Sequence, residues 1–289
     1  MNWNVVFSEL IRRTTSDLPA DVVSALQQAV TKEVSGSQAA MLLHAMLKNS
    51  ELAREQSTPL CQDTGTLTFF FQVPQGTDTR ALTQAARDAV INATQAGWLR
   101  RNTIETISGS SVDTNIADGC PVCHFEQWER RDTEVWLIQK GGGCENMSMQ
   151  FSLPDAQLAA GRDLEGVRRC LLEAAWRAQG YGCAPGILGV CIGADRAEGY
   201  AVAKAQLLRA LDDNAPDPEL MALEQRVLAE VNQLGIGPMG MGGQTTLLGV
   251  KIASRSRLPA SYFVTVAYMC WSCRRRGVRV TAETPLWLG

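Results

Sequence analysis

The sequence predicts a mixed α/β (α+β) fold, with a helical N-terminal region followed by strands and helices interleaved in one continuous core. Three observations predict it. Short runs rich in β-favouring apolar residues, such as 67–73 and 186–193, are bounded by turn formers. Longer segments between them carry apolar residues every three or four positions, the period of a helix with one buried face. The two kinds of segment mix along the whole chain, with neither an internal repeat nor a low-complexity linker. The 289 residues, 45% of them hydrophobic, suffice for one large domain or two medium ones and argue against disorder.

In chain order, the first sixty residues read helical. Asp17 and Pro19 mark a helix start, and Val22, Val23, Leu26 and Val30 form its stripe. A second helix is predicted over 38–54, with Met41, Leu42, Ala45, Met46 and Leu52 turned inward, and Pro59 closes the region. Residues 67–73 then read as a buried strand and 78–96 as a helix. The polar stretch 103–118 has few apolar anchors and reads as a long loop, a feature often tied to function in compact domains. A strand over 133–139 runs into Lys140-Gly141-Gly142-Gly143-Cys144. Ser152 and Pro154 predict another helix start, and 164–178 a further helix. After the strand at 186–193, Ala203, Leu207, Leu208 and Leu211 suggest one helical stripe and Leu220, Leu223, Val227, Val231 and Leu234 another. Segments 245–253 and 262–268 complete the strands.

A net charge of −3 gives no reason to expect nucleic acid as the main partner. Arg274, Arg275, Arg276 and Arg279 make one basic cluster, better read as a solvated or subunit-facing patch than as a polyanion site. Glu9, Arg12, Arg13 and Asp17 interrupt any apolar core of a signal peptide, and no apolar run reaches the ~18 residues of a membrane span. The expected location is cytoplasmic. Nine cysteines in that compartment should be mostly reduced, and their odd number argues against a full disulfide framework. Metal binding, catalysis or plain burial must then account for the thiols.

Several motifs match known patterns in letters but not in context. Gly235-Ile236-Gly237-Pro238-Met239-Gly240 fits the dinucleotide G-x-G-x-x-G, yet a helix precedes it, Pro238 interrupts it and a strand follows. Its glycines either offer backbone N–H groups to an anion or simply end a helix. Lys140-Gly141-Gly142-Gly143 lacks the second half of a phosphate loop, and makes either a close backbone approach or an ordinary turn. Two Cys-x-x-Cys pairs, Cys120/Cys123 and Cys270/Cys273, lie far further apart than the ~15–20 residues of a zinc ribbon. A structural zinc or redox protein is nevertheless the alternative they raise. Only two histidines exist, and His44 reads as a packing residue on a helix, so a hydrolase triad ranks low.

Cys61-Gln62-Asp63-Thr64-Gly65-Thr66 is the most informative stretch: a soft thiolate, an amide, a carboxylate and a turn-making glycine. It is followed in order by Lys140-Gly141-Gly142-Gly143, Gly182-Cys183-Ala184-Pro185, the glycine-rich run 235–243 and Cys270-Trp271. From about residue 20 to 280 this series resembles the α subunit of the iron–sulfur hydro-lyases, the class I fumarases and L-tartrate dehydratases. The resemblance implies one catalytic domain of that type over 1–289 and a 4Fe–4S cluster on Cys61, Cys183 and Cys270. It implies Asp63 as the proton donor or orienting carboxylate, and Gln62, Asp63, Arg100 and the Gly142–Gly143 backbone as substrate-binding groups, with Arg101 the runner-up to Arg100. It also implies a β subunit completing the active site, as an α₂β₂ assembly. The implied substrate is fumarate/(S)-malate first and L-tartrate second.

Overall fold

The computed structural model describes residues 1–281 and 284–289. Helices α1 (Trp3–Ser16), α2 (Ala20–Lys32) and α3 (Gln38–Gln56) form the N-terminal region, as the sequence predicts. Then follow β1 (Thr66–Pro74), α4 (Thr79–Gln95), β2 (Val122–Trp128), β3 (Thr133–Lys140), α5 (Gly142–Asn146) and β4 (Met149–Ser152). The remainder is α6 (Leu164–Ala178), β5 (Gly186–Ile192), α7 (Arg196–Gln206), α8 (Pro218–Asn232), β6 (Leu247–Ser254), β7 (Phe263–Met269), β8 (Arg274–Thr281) and β9 (Thr284–Leu288). No helix among the described residues is long and apolar enough to cross a membrane. The chain forms two compact units, one of residues 1–20, 48–142 and 272–289, the other of 21–47 and 143–271.

The first unit is built on a five-stranded sheet in the order β2-β1-β3-β8-β9. Alternation along β1 puts Leu67, Phe69, Phe71 and Val73 on one face, where they meet Phe7, Leu10 and Ile11 of α1 and Leu82, Ala86 and Val90 of α4. Register carries that layer into β3, with Phe71 opposite Val135 and Phe69 opposite Leu137. On the other face Phe70 stacks on His124 at 5.0 Å. Asp78 starts α4 by accepting from the Arg80 and Ala81 amides.

The second unit carries a four-stranded sheet, β4-β7-β5-β6. Every residue of its inner strand β5 is buried. Leu188, Val190 and Ile192 pack with Val167, Leu171 and Ala174 of α6 and with Leu223, Val227 and Val231 of α8. Gly189 faces α7, where an added Cβ would come 2.2 Å from the Ala203 carbonyl oxygen, so only glycine lets that helix lie on the strand.

Four local expectations are corrected. No helix begins at Ser152 or Pro154: the Asp155 carboxylate accepts from the Gln157 and Leu158 amides and turns the chain instead. Helix α7 ends at Gln206, so Leu207, Leu208 and Leu211 lie beyond it. On α3 the buried stripe is Ala39, Leu43, Met46, Ser50 and Ala53, while Met41 and Leu52 are exposed. Of the residues expected inward, Met46 does lie on that face, whereas Ala45 is exposed with Met41 and Leu52; His44, expected to pack, is exposed too. Strands β2, β4, β8 and β9 are additions, β8 hidden from pattern reading by its arginines.

Candidate functional site

Cys61 lies exposed on the loop before β1, and its setting is determined by Asp63. One Asp63 oxygen, Oδ1, accepts from the Gly65 amide at 2.9 Å, and the other, Oδ2, accepts from the Gly142 amide at 2.6 Å. The carboxylate therefore ties the cysteine loop to the turn that follows β3. Close approach is what demands the glycines. Gly65 has φ +76°, and a Cβ there would stand 2.6 Å from the Lys140 carbonyl. A Cβ on Gly141 would stand 2.7 Å from Asp63 Oδ2. Both glycine motifs are thus two sides of one junction, which the sequence shows only as separate runs.

Arg100 is held beside this loop by its backbone. Its N–H donates to the buried Thr64 Oγ1 at 3.3 Å, and its carbonyl accepts from Asn115 Nδ2 at 2.7 Å. Two residues on, Asn102 Nδ2 reaches the Gln62 carbonyl at 3.3 Å and Asp63 Oδ1 at 3.4 Å. The Arg100 guanidinium is exposed and meets no carboxylate among the described residues, whereas Arg101 forms an exposed pair with Asp113 at 3.1 Å. Of the two arginines, Arg100 is the one left available to a carboxylate ligand, for which a guanidinium fork is suited. Gln62 is also exposed on the same loop.

In the second unit, Gly143 opens onto the segment that carries Cys183. Cys183 has a left-handed backbone, φ +54°, unusual for a residue with a side chain and a mark of a constrained site. Its carbonyl accepts from the Trp271 amide at 3.3 Å, which joins it to the Cys270 segment. Tyr268 fills the space between: a Cβ on Gly182 would stand 2.3 Å from its ring, and one on Gly186 2.3 Å from its hydroxyl oxygen. Burial, then the neighbouring Cys270, Cys144 and Cys183, push the Tyr268 phenol well above its ordinary value of 10. Three thiols thus gather around one buried ring.

The glycine-rich run 235–243 is scaffolding for Cys183. The Met239 amide donates to the Ala184 carbonyl at 2.8 Å, and the Met239 carbonyl lies where any Cβ on Gly180 would stand, 2.4 Å away. Three of its glycine amides are already engaged: Gly237 donates to Thr246 Oγ1, Gly240 to the Gly237 carbonyl and Gly242 to the Ile236 carbonyl. These N–H groups are not open to an anion. The Glu33 carboxylate finishes the loop by accepting from the Gln244 and Thr245 amides.

Of the sequence-derived ligands, Cys183 and Cys270 share a unit and a neighbour, while Cys61 belongs to the other unit with Gln62, Asp63, Arg100 and Gly142. Among the described residues no three side chains of cysteine, histidine, aspartate or glutamate converge as a metal cage. The donor set still suits an iron–sulfur group, since all three implied ligands are thiols on loops or strand ends and none is an inner core residue. The Cys-x-x-Cys pairs behave differently. Burial pushes the Cys123 thiol up to about 11, the reverse of what a reactive pair needs. Cys273 is buried and accepts from Arg275 at 3.5 Å. The basic cluster is largely tied to its own unit, with Arg276 on Asp17 at 2.7 Å and Arg279 on Glu134 at 2.6 Å. Asn115 and Asn102 were missed from the sequence, and the polar loop 103–118 was the one signal for Asn115; Thr64 was named there only as part of the Cys61 motif.

Comparison with known proteins bears on the same residues. A family model described as fumarate hydratase (fumerase) matches residues 5–279. A protein of Geobacillus stearothermophilus, provisionally named fumarate hydratase class I, is 46% identical over 97% of this chain, which spans 56% of that protein's length. A protein of Methanocaldococcus jannaschii, provisionally named L(+)-tartrate dehydratase subunit alpha, is 32% identical over 99% of this chain and 100% of its own. The L(+)-tartrate dehydratase subunit alpha of Escherichia coli (strain K12) is 30% identical over 92% of this chain and 86% of its own. With a family match over nearly the full chain and these identities, the protein belongs to the fumarate hydratase (fumerase) family.

Proposed function

We propose that this chain is the cluster-binding, α-type part of an iron–sulfur hydro-lyase that adds or removes water on a small dicarboxylate, fumarate/(S)-malate before L-tartrate. The observation that carries the reading is the 46% identity, over 97% of the chain, to a protein named as a class I fumarate hydratase. L-Tartrate remains the second reading because relatives named as tartrate dehydratase α subunits match this chain at nearly its own length. Those names, which call the relatives α subunits, also support a partner subunit.

In this reading Cys61, Cys183 and Cys270 hold a 4Fe–4S cluster. When bound, the cluster supplies a Lewis-acidic iron for a substrate carboxylate and the departing hydroxyl. Arg100 grips the substrate carboxylate, and Gln62 adds hydrogen bonds. Asp63 acts as the orienting carboxylate, because both its oxygens already accept from backbone amides. The Gly142 amide serves Asp63 and the Gly143 carbonyl accepts from the Met147 amide, which leaves the Gly143 N–H to a ligand. A partner subunit supplies the remaining cationic groups and the base, in the cytoplasm.

The test is anaerobic co-production of the chain with its partner, followed by iron and sulfide analysis, visible and EPR spectra, and assays with fumarate and with L-tartrate. About four irons per chain are expected. They should be lost in Cys61→Ser, Cys183→Ser and Cys270→Ser and kept in Cys120→Ser and Cys123→Ser. Bound zinc, or no chromophore after reconstitution, would sink the reading. Faster dehydration of L-tartrate than hydration of fumarate would exchange the two substrates.

A further inference from the structure

Asn115 lies outside every motif above, yet it is the most connected polar side chain near the Cys61 loop. It is buried, 5% exposed, and its backbone is left-handed at φ +58°, a conformation asparagine tolerates better than most residues. Its amide makes four hydrogen bonds. Nδ2 donates to the Arg100 carbonyl at 2.7 Å and to Thr94 Oγ1 at 3.0 Å. Oδ1 accepts from the Asn102 amide at 3.0 Å and the Thr103 amide at 3.1 Å. Thr94 is anchored in turn to the Val90 carbonyl at 2.8 Å, inside α4. One side chain therefore fastens the exposed 100–103 segment to a rigid helix.

We infer that Asn115 is a positioning residue for substrate binding: it fixes the backbone of Arg100 and Asn102, and so aims the Arg100 guanidinium at the substrate carboxylate. The inference rests on the reading of Arg100 proposed above. Asparagine is suited to the task because one planar amide offers donors to Arg100 and Thr94 and an acceptor to two successive amides. Aspartate keeps the acceptor and loses the donor. Glycine loses all four bonds but keeps the left-handed backbone without strain.

That contrast gives the test, made on the assembled holoenzyme. Asn115→Asp sets a carboxylate against the Arg100 carbonyl, and should raise KM for the dicarboxylate at least about tenfold with kcat within about threefold, the pattern of lost uniform binding. Its Asn102 and Thr103 amides should keep their wild-type hydrogen exchange. Asn115→Gly should raise KM as much and also speed exchange at Asn102 and Thr103 at least about tenfold, with strands β1 and β3 unchanged. Added to Arg100→Ala, either change should have little further effect on KM, because Asn115 acts through Arg100. A wild-type KM in Asn115→Asp, unchanged exchange in Asn115→Gly, or additive losses in the double variants would overturn the inference. Failure of the hydro-lyase reading looks different: the wild-type assembly would turn over no dicarboxylate. The substrate-aiming role would fall with it, while exchange would still show whether Asn115 fastens the segment.

Discussion

At the scale of single residues, the site depends on backbone meeting side chain at close range. Gly65 is the sharpest case, because its φ and the 2.6 Å approach to Lys140 both exclude a β-carbon. Gly65→Ala is expected to lower stability by about 1–3 kcal/mol through strain at a left-handed position, with more from the displaced turn. A lower urea midpoint with an unchanged slope would register it; an unchanged midpoint would mean the loop does not bear on the β3 turn. Cys61 and Asp63 stood out in the sequence by their chemistry, whereas Arg100 was singled out only through the family resemblance. Asn115 and Thr64 were illegible because their importance lies in the carbonyl or amide each one meets, and a sequence does not display that pairing.

At the scale of elements, helices and inner strands were legible because one face of each is buried and the apolar period shows it, as in α6, α8 and β5. Strand β8 was not, since Arg274, Arg275 and Arg276 are all largely hidden from solvent and break any expected alternation. The pair α6 and α8 also carries an electrostatic prediction. The Arg168 hydrogen bond, with Arg226 and Arg169 nearby, outweighs burial and holds Glu165 at about 2 against an ordinary 4.5. A depressed carboxyl adds stability above its unfolded value and loses it as pH falls toward its folded value. The melting-temperature deficit of Glu165→Gln should therefore be full above about pH 5 and vanish toward pH 2. A deficit independent of pH would assign the effect to packing.

At the scale of the whole molecule, burial sorts the sulfur chemistry. Burial raises the Cys170 thiol to about 12 and the Cys191 thiol to about 11, while Cys61 lies exposed on its loop. Because the thiolate is the nucleophile, iodoacetamide should modify Cys61 in the cluster-free protein at least about tenfold faster than Cys170 or Cys191. Peptide mapping against time checks the order, and equal rates would mean that the native packing does not protect the buried pair. The Asp63 junction has one more consequence. Its two strongest donors are amides of the main chain, which every residue except proline supplies. Side chains around the Cys61 loop are therefore free to diverge toward new substrates without losing that anchorage, provided the glycines stay. A family built this way can change what it acts on far more cheaply than it can move its cysteine.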